Sequence, residues 1–218
     1  SLTNADDAEA AVNYLMQRPG INSKKIGLAG HSEGGLIAPI VASRNADIAF
    51  IVSLAGPGVK GYDVILRQTA DIMRASGSSE TEINETLTAN SQLFKMAIAE
   101  PDQRKFAKSA MEWYSKDLDS KGLSQEERKE KMAAFTQGLV SVNNPWMRYF
   151  LETDPAQFWS QVRCPVLALN GEKDLQVSQE MNLPAIKAAM RSGGNRKVKT
   201  VMLPGLNHLF QNSETGAP

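Results

Sequence analysis

Lys25-Ile26-Gly27-Leu28-Ala29-Gly30-His31-Ser32-Glu33-Gly34-Gly35 is the most informative stretch of this chain. Residues 25–29 form a short apolar run between turn signals, the pattern of a strand buried on both faces of a parallel sheet. Gly30-His31-Ser32-Glu33-Gly34 is a G-x-S-x-G motif, and Gly35 follows it directly. Residues 36–43 read as a helix, with Pro39 tolerable only because it falls near the first turn. A second apolar run, residues 48–54, reads as another buried strand. Strand, helix and strand in so short a span make a βαβ unit, hence a parallel, right-handed connection. A five-residue pattern rich in small residues is weak evidence alone. Between a buried strand and a helix it has the context of a nucleophile elbow. There the serine sits in a strained turn, its neighbours must lack side chains, and the helix N-terminus favours negative charge beside it.

Upstream, Ala8, Ala11, Val12, Leu15 and Met16 have the spacing of an amphipathic helix. Asn4 or Asp6 can cap its first turn, and Pro19-Gly20 stops it. Downstream, the character turns wholly helical from Gly56 to about Ser160. Tyr62, Ile65, Leu66, Thr69, Ile72 and Met73 follow helical spacing, and Ser79/Glu82 and Ser124/Glu127 are capping boxes. Asp154-Pro155 reads as a cap followed by proline at the first helical position. The sheet pattern then resumes, with a buried strand at 165–169, a helix at 183–191 and a last strand at 197–203. The expected organisation is a core part at residues 1–56, a helical insertion at 57–160 and a second core part at 161–218. The expected class is α/β, with a parallel sheet of about four strands and flanking helices.

Composition narrows the function classes. Lys and Arg total 24 and so do Asp and Glu, so the net charge is zero. That leaves no electrostatic footprint for nucleic acid. The apolar runs fall far short of the ~20 residues that span a bilayer, and Ser1–Asn4 does not resemble a signal peptide. The expectation is a soluble chain whose compartment stays open. Its ends look cut, since it starts at Ser1 and closes on polar, turn-forming residues. One cysteine, Cys164, excludes a disulfide framework and a multi-cysteine zinc site. With His31 and His208 as the only histidines, no metal and no organic cofactor is expected.

A serine hydroxyl is a poor nucleophile without a base, and the base needs an orienting carboxylate. His31 adjoins Ser32 in the elbow, so its side chain should leave the turn in another direction. His208 lies in Pro204-Gly205-Leu206-Asn207-His208, a loop beyond the last strand, and is the favoured base. For the acid, Asp174 follows the strand at 165–169 through Asn170-Gly171-Glu172-Lys173, with Glu172 as its nearest rival. Asp174 would sit at the carboxyl end of a parallel strand, the edge where α/β sheets bind ligands. The chain order is Ser32, Asp174, His208.

The blocks Gly30–Gly35, Cys164–Asp174 and Asn207-His208 resemble the signatures of α/β-hydrolase-fold serine hydrolases, above all bacterial carboxylesterases and serine aminopeptidase-like lipolytic enzymes. Asn144-Pro145-Trp146-Met147-Arg148-Tyr149-Phe150 is similar to the end of the cap in that branch. The resemblance implies Ser32 as nucleophile, His208 as base, Asp174 as orienter and the Glu33 backbone N–H as one oxyanion donor. It implies ester hydrolysis of a small-molecule substrate through an acyl-enzyme. A peptidase or amidase of the same fold, or a non-catalytic fragment or binding domain, is the alternative. Such hydrolases carry about four further strands before the elbow strand and a last helix after the histidine; this sequence has one helix in the first place and none in the second. Two expectations follow from the departure: an exposed elbow-strand edge open to homo-oligomer pairing, and impaired turnover for want of the second oxyanion donor.

Eleven of the fourteen aromatic residues fall within 56–160, Trp113, Trp146 and Trp159 among them. Most should form the insertion's own core. As a cap over a site, the insertion would also line an acyl or alcohol pocket, with Trp146, Met147 and Phe150 as the candidate residues.

Overall fold

The computed structural model describes residues 2–216, so the readings of Ser1, Ala217 and Pro218 lie outside the described residues. Strands β1 (Leu28–His31), β2 (Ile51–Leu54), β3 (Val166–Gly171) and β4 (Val198–Leu203) form one parallel sheet in that order. Leu28, Ile51, Val166 and Val198 are aligned across it, and two residues on Gly30, Ser53, Ala168 and Thr200 are aligned likewise. Both rows project to one face, where Ile51, Ser53, Val166 and Ala168 are buried. Helix α2 (Glu33–Arg44) packs on β1 and β2, and α9 (Gln179–Ser192) packs on β3 and β4. Right-handed crossovers that step in one direction put both helices on the same face. Short helix α8 (Ala156–Trp159) touches both of them. Leu36, Ile40, Val41, Ile186 and Met190 fill this layer, and the fully buried Trp159 donates its Nε1–H to the Pro57 carbonyl at 3.2 Å. Truncating one of these aliphatic side chains to Ala should cost about 2–5 kcal/mol.

The elbow strand differs from its expectation. It starts at Leu28 rather than Lys25, which belongs to a short turn at Ser23–Lys25, and Ala29 and His31 on its second face are exposed. Among the described residues β1 pairs only with β2, so it is an edge strand of the sheet. Helix α1 (Leu2–Met16) buries Ala5 and Val12 and packs on α2. It begins before Asn4 and Asp6, so neither caps it; Asp6 instead pairs with Arg44 of α2 at 2.6 Å. Helix α2 also begins early, at Glu33, which leaves Pro39 a turn deeper than expected.

Between β2 and β3 lie α3 (Gly61–Ala75), α4 (Glu80–Ala99), α5 (Gln103–Asp119), α6 (Gln125–Val142), α7 (Pro145–Glu152) and α8. Both capping boxes form: Glu82 accepts from the Ser79 backbone N–H at 2.8 Å, and Glu127 from that of Ser124 at 2.9 Å. Asp154 accepts from the Ala156 N–H at 3.0 Å, so α8 starts one residue after Pro155. The chain divides into two compact units, one of them Asn84–Glu152 and the other holding the sheet. The helical unit is narrower than residues 57–160, because α3 and α8 group with the sheet. Val64 and Ala70 of α3 are buried, an Arg67–Glu180 ion pair at 3.1 Å joins α3 to α9, and α8 packs on α2 and α9. The helical unit has its own core of Leu93, Ala97, Phe106, Ala110 and Leu139. Among the described residues no helix is long and apolar enough to cross a membrane.

Candidate active site

Ser32 is the turn between β1 and α2, with φ 55° and ψ −117°. A side chain in that region crowds its own backbone, and such strain persists only where the surroundings impose it. The surroundings here are tight. A Cβ on Gly30 would collide with the Gly34 carbonyl, and one on Gly35 would come within 2.5 Å of the Gly56 Cα. Gly34, the closing glycine of the five-residue motif, has open space around it. The close approach is therefore made by Gly30 and Gly35, and the second of these stands outside the motif as usually written. The Ser32 N–H donates to the Leu54 carbonyl at 2.9 Å, which ties the turn to β2. Its side chain makes no capping bond to α2, so the hydroxyl is not taken up by the helix. Glu33 is the first residue of α2, as an oxyanion donor would require.

Asp174 lies in the loop beyond β3, its side chain sealed from solvent. Its Oδ1 accepts the backbone N–H groups of Gln176 and Val177, both at 2.8 Å. Its Oδ2 accepts from His208 Nδ1 at 2.9 Å and from Asn170 Nδ2 at 3.0 Å. A carboxylate only accepts, so the Nδ1 position of His208 carries the proton and Nε2 of the neutral ring is the basic nitrogen. Glu172, the rival acid, is used otherwise: its Oε2 accepts the Gly205 N–H at 2.8 Å and holds the two loops together.

His208 is buried, not the solvated loop residue its position would suggest. Asn207 shapes that loop, its Oδ1 accepting from the N–H groups of Leu209 and Gln211. His31 lies against His208, ring centroids 4.7 Å apart, and its Nε2–H donates to the His208 carbonyl at 2.8 Å. The residue next to Ser32 thus holds the loop that carries His208. His31 and Asn170 both sit within the sequence motifs, yet spacing alone assigned neither a partner. Trp146, Met147 and Phe150 lie on α7 in the helical unit, where Trp146 and Phe150 stack with centroids 5.6 Å apart. Among the described residues no three His, Cys, Asp or Glu side chains gather as a metal site.

A serine in a strained strand-to-helix turn, with an acid–histidine pair on loops beyond later parallel strands, is the arrangement of an α/β hydrolase. The family model described as BAAT / Acyl-CoA thioester hydrolase C terminal matches residues 8–121, just over half of the chain, and the protein belongs to that family. The matched part includes the elbow and ends before Asp174 and His208. No curated protein matches the chain. Among solved structures it is similar to an esterase of Pyrococcus furiosus, 14% identical over 91% of this chain and 52% of the other, with a TM-score of 0.45. It is also similar to an acylaminoacyl peptidase of Pyrococcus horikoshii, 12% identical over 93% of this chain and 23% of that one, TM-score 0.47. An α/β fold family hydrolase of Bacillus anthracis str. Sterne is 14% identical over 96% and 66% of the two chains, TM-score 0.47. The chain spans about half the length of the first of these.

Proposed function

We propose that Ser32, His208 and Asp174 act as nucleophile, base and orienter of a serine hydrolase that cleaves carboxylic esters. The observation that carries the reading is the buried His208–Asp174 pair at 2.9 Å, held by His31 against the elbow in which Ser32 is strained. Ser32 Oγ attacks the ester carbonyl carbon while His208 Nε2 takes its proton. The tetrahedral oxyanion is met by the Glu33 backbone N–H, at the positive end of the α2 dipole. Collapse expels the alkoxide, which takes the proton from Nε2–H and leaves as the alcohol. Water then attacks the acyl-serine by the same route, returning the proton to Ser32 and releasing the acid.

The family match favours a second substrate, an acyl thioester, since the family is described by that activity. The same residues would serve, with a thiol as the leaving group. A fluorophosphonate probe followed by peptide mapping tests the nucleophile, and the chain with Ser32→Ala is the control. Paired oxygen and sulfur esters of one acyl group then separate the two substrate classes. A folded chain that leaves Ser32 unlabelled overturns the proposal.

A further inference from the structure

Asn170 is fully buried at the carboxyl end of β3, four residues before Asp174. Both hydrogens of its amide are used, one on Asp174 Oδ2 at 3.0 Å and the other on the Val177 carbonyl at 2.9 Å. Those two acceptors fix the amide's orientation, because the flipped group would aim its oxygen at a carboxylate and a carbonyl. The consequence is an Oδ1 that is buried and has no hydrogen-bond partner among the described residues. Leucine would fill a similar volume without an orphaned oxygen, so packing alone does not favour this residue.

We propose that Asn170 is the positioning residue of the acid–base pair. This rests on the reading of Asp174 and His208 as orienter and base. The bonds from Gln176 and Val177 to Oδ1 come from the same loop as Asp174 and move with it. Asn170 reaches Oδ2 from the strand, a rigid element, and so fixes the oxygen that His208 Nδ1 uses against the sheet. An imidazole held by a fixed oxygen keeps one tautomer and one direction for Nε2, and small displacements of a base are costly.

The test compares the chain with its Asn170→Leu and Asn170→Asp variants. Asn170→Leu leaves the Val177 carbonyl unpaired and Asp174 Oδ2 short of one donor, so the melting temperature should fall by several degrees with the chain still folded at assay temperature, while kcat for p-nitrophenyl acetate falls about 10–100-fold and KM stays within about twofold. In Asn170→Asp the introduced carboxyl donates to Asp174 only when protonated. As pH rises the two carboxylates face each other, so the deficit of that variant relative to the parent chain should widen. A packing role would give a deficit independent of pH. With ¹⁵N-histidine labelling, the His208 Nδ1 proton should be protected from exchange in the parent chain and lose that protection in Asn170→Leu. Unchanged kcat and unchanged protection in that variant overturn the proposal, as does a parent chain with no protected Nδ1 proton. If Ser32 resists labelling while Asn170→Leu still exposes the Nδ1 proton, the hydrolase reading fails and the positioning role stands.

Discussion

Replacing Ser32 by glycine should stabilise the protein relative to replacing it by alanine. Both changes remove the hydroxyl, which makes no capping bond, so neither loses a helix cap. They differ in what they demand of the backbone at φ 55°, ψ −117°. Alanine keeps a Cβ in a region that costs a non-glycine residue about 1–3 kcal/mol. Glycine removes that strain but enters with about 0.5–1 kcal/mol of extra chain entropy to lose. The difference is about 1 kcal/mol in favour of glycine, or roughly 2–4 °C in a chain of this size. Thermal and urea unfolding of Ser32→Gly and Ser32→Ala, followed by a probe in the sheet-containing unit, measures it. Two neighbours frame the result. Gly34→Ala has open space and a helical place and should be tolerated, whereas Gly30→Ala meets the Gly34 carbonyl and should be severely destabilising. If Ser32→Ala proves as stable as Ser32→Gly, the turn is not strained and the elbow argument fails.

Ser32→Ala and His208→Ala should each lower kcat for an activated ester by about 10³-fold or more, and the double variant should be little worse than either. His31→Ala removes a neutral hydrogen bond and a ring contact, so its loss should be nearer tenfold; equal losses at both histidines would refute the assignment of the base. Glu82 and Glu127 have carboxyls held below their usual range, chiefly by the hydroxyls of Ser79 and Ser124. A lowered folded-state value contributes stability above the ordinary carboxylate range that is lost as pH falls through the folded value. The parent chain should therefore be more stable than Glu127→Gln at neutral pH, and urea unfolding followed by circular dichroism should show that advantage vanish on acidification while the stability of the variant changes less. The outer edge of β1 is unpaired among the described residues, and its Ala29 and His31 are exposed; we expect concentration-dependent self-association in light scattering, blocked by Ala29→Lys, and a monomer at high concentration would count against it.

Local signals were enough for the order of elements and the chemistry they could hold. Apolar runs separated by turn residues specify parallel strands, and serine with a glutamate three residues on specifies a helix start, because these signals act over one turn or one strand. The serine motif was legible for the same reason: its glycines and its strain are local. Its fine structure was not. Gly35 rather than Gly34 makes the second close approach, since the atom in the way belongs to Gly56 on another segment. Glu172 and Asp174 differ by two positions in one loop, and nothing local separates them. The fold does, by giving Glu172 the Gly205 N–H and Asp174 the His208 ring, a partner 34 residues away. His31 lies 177 residues before the carbonyl it binds, and Asn170 reads in sequence as an ordinary turn residue at a strand end. A hydrogen bond is made or lost within a few tenths of an ångström, and only the packed sheet sets the loops that close to one another.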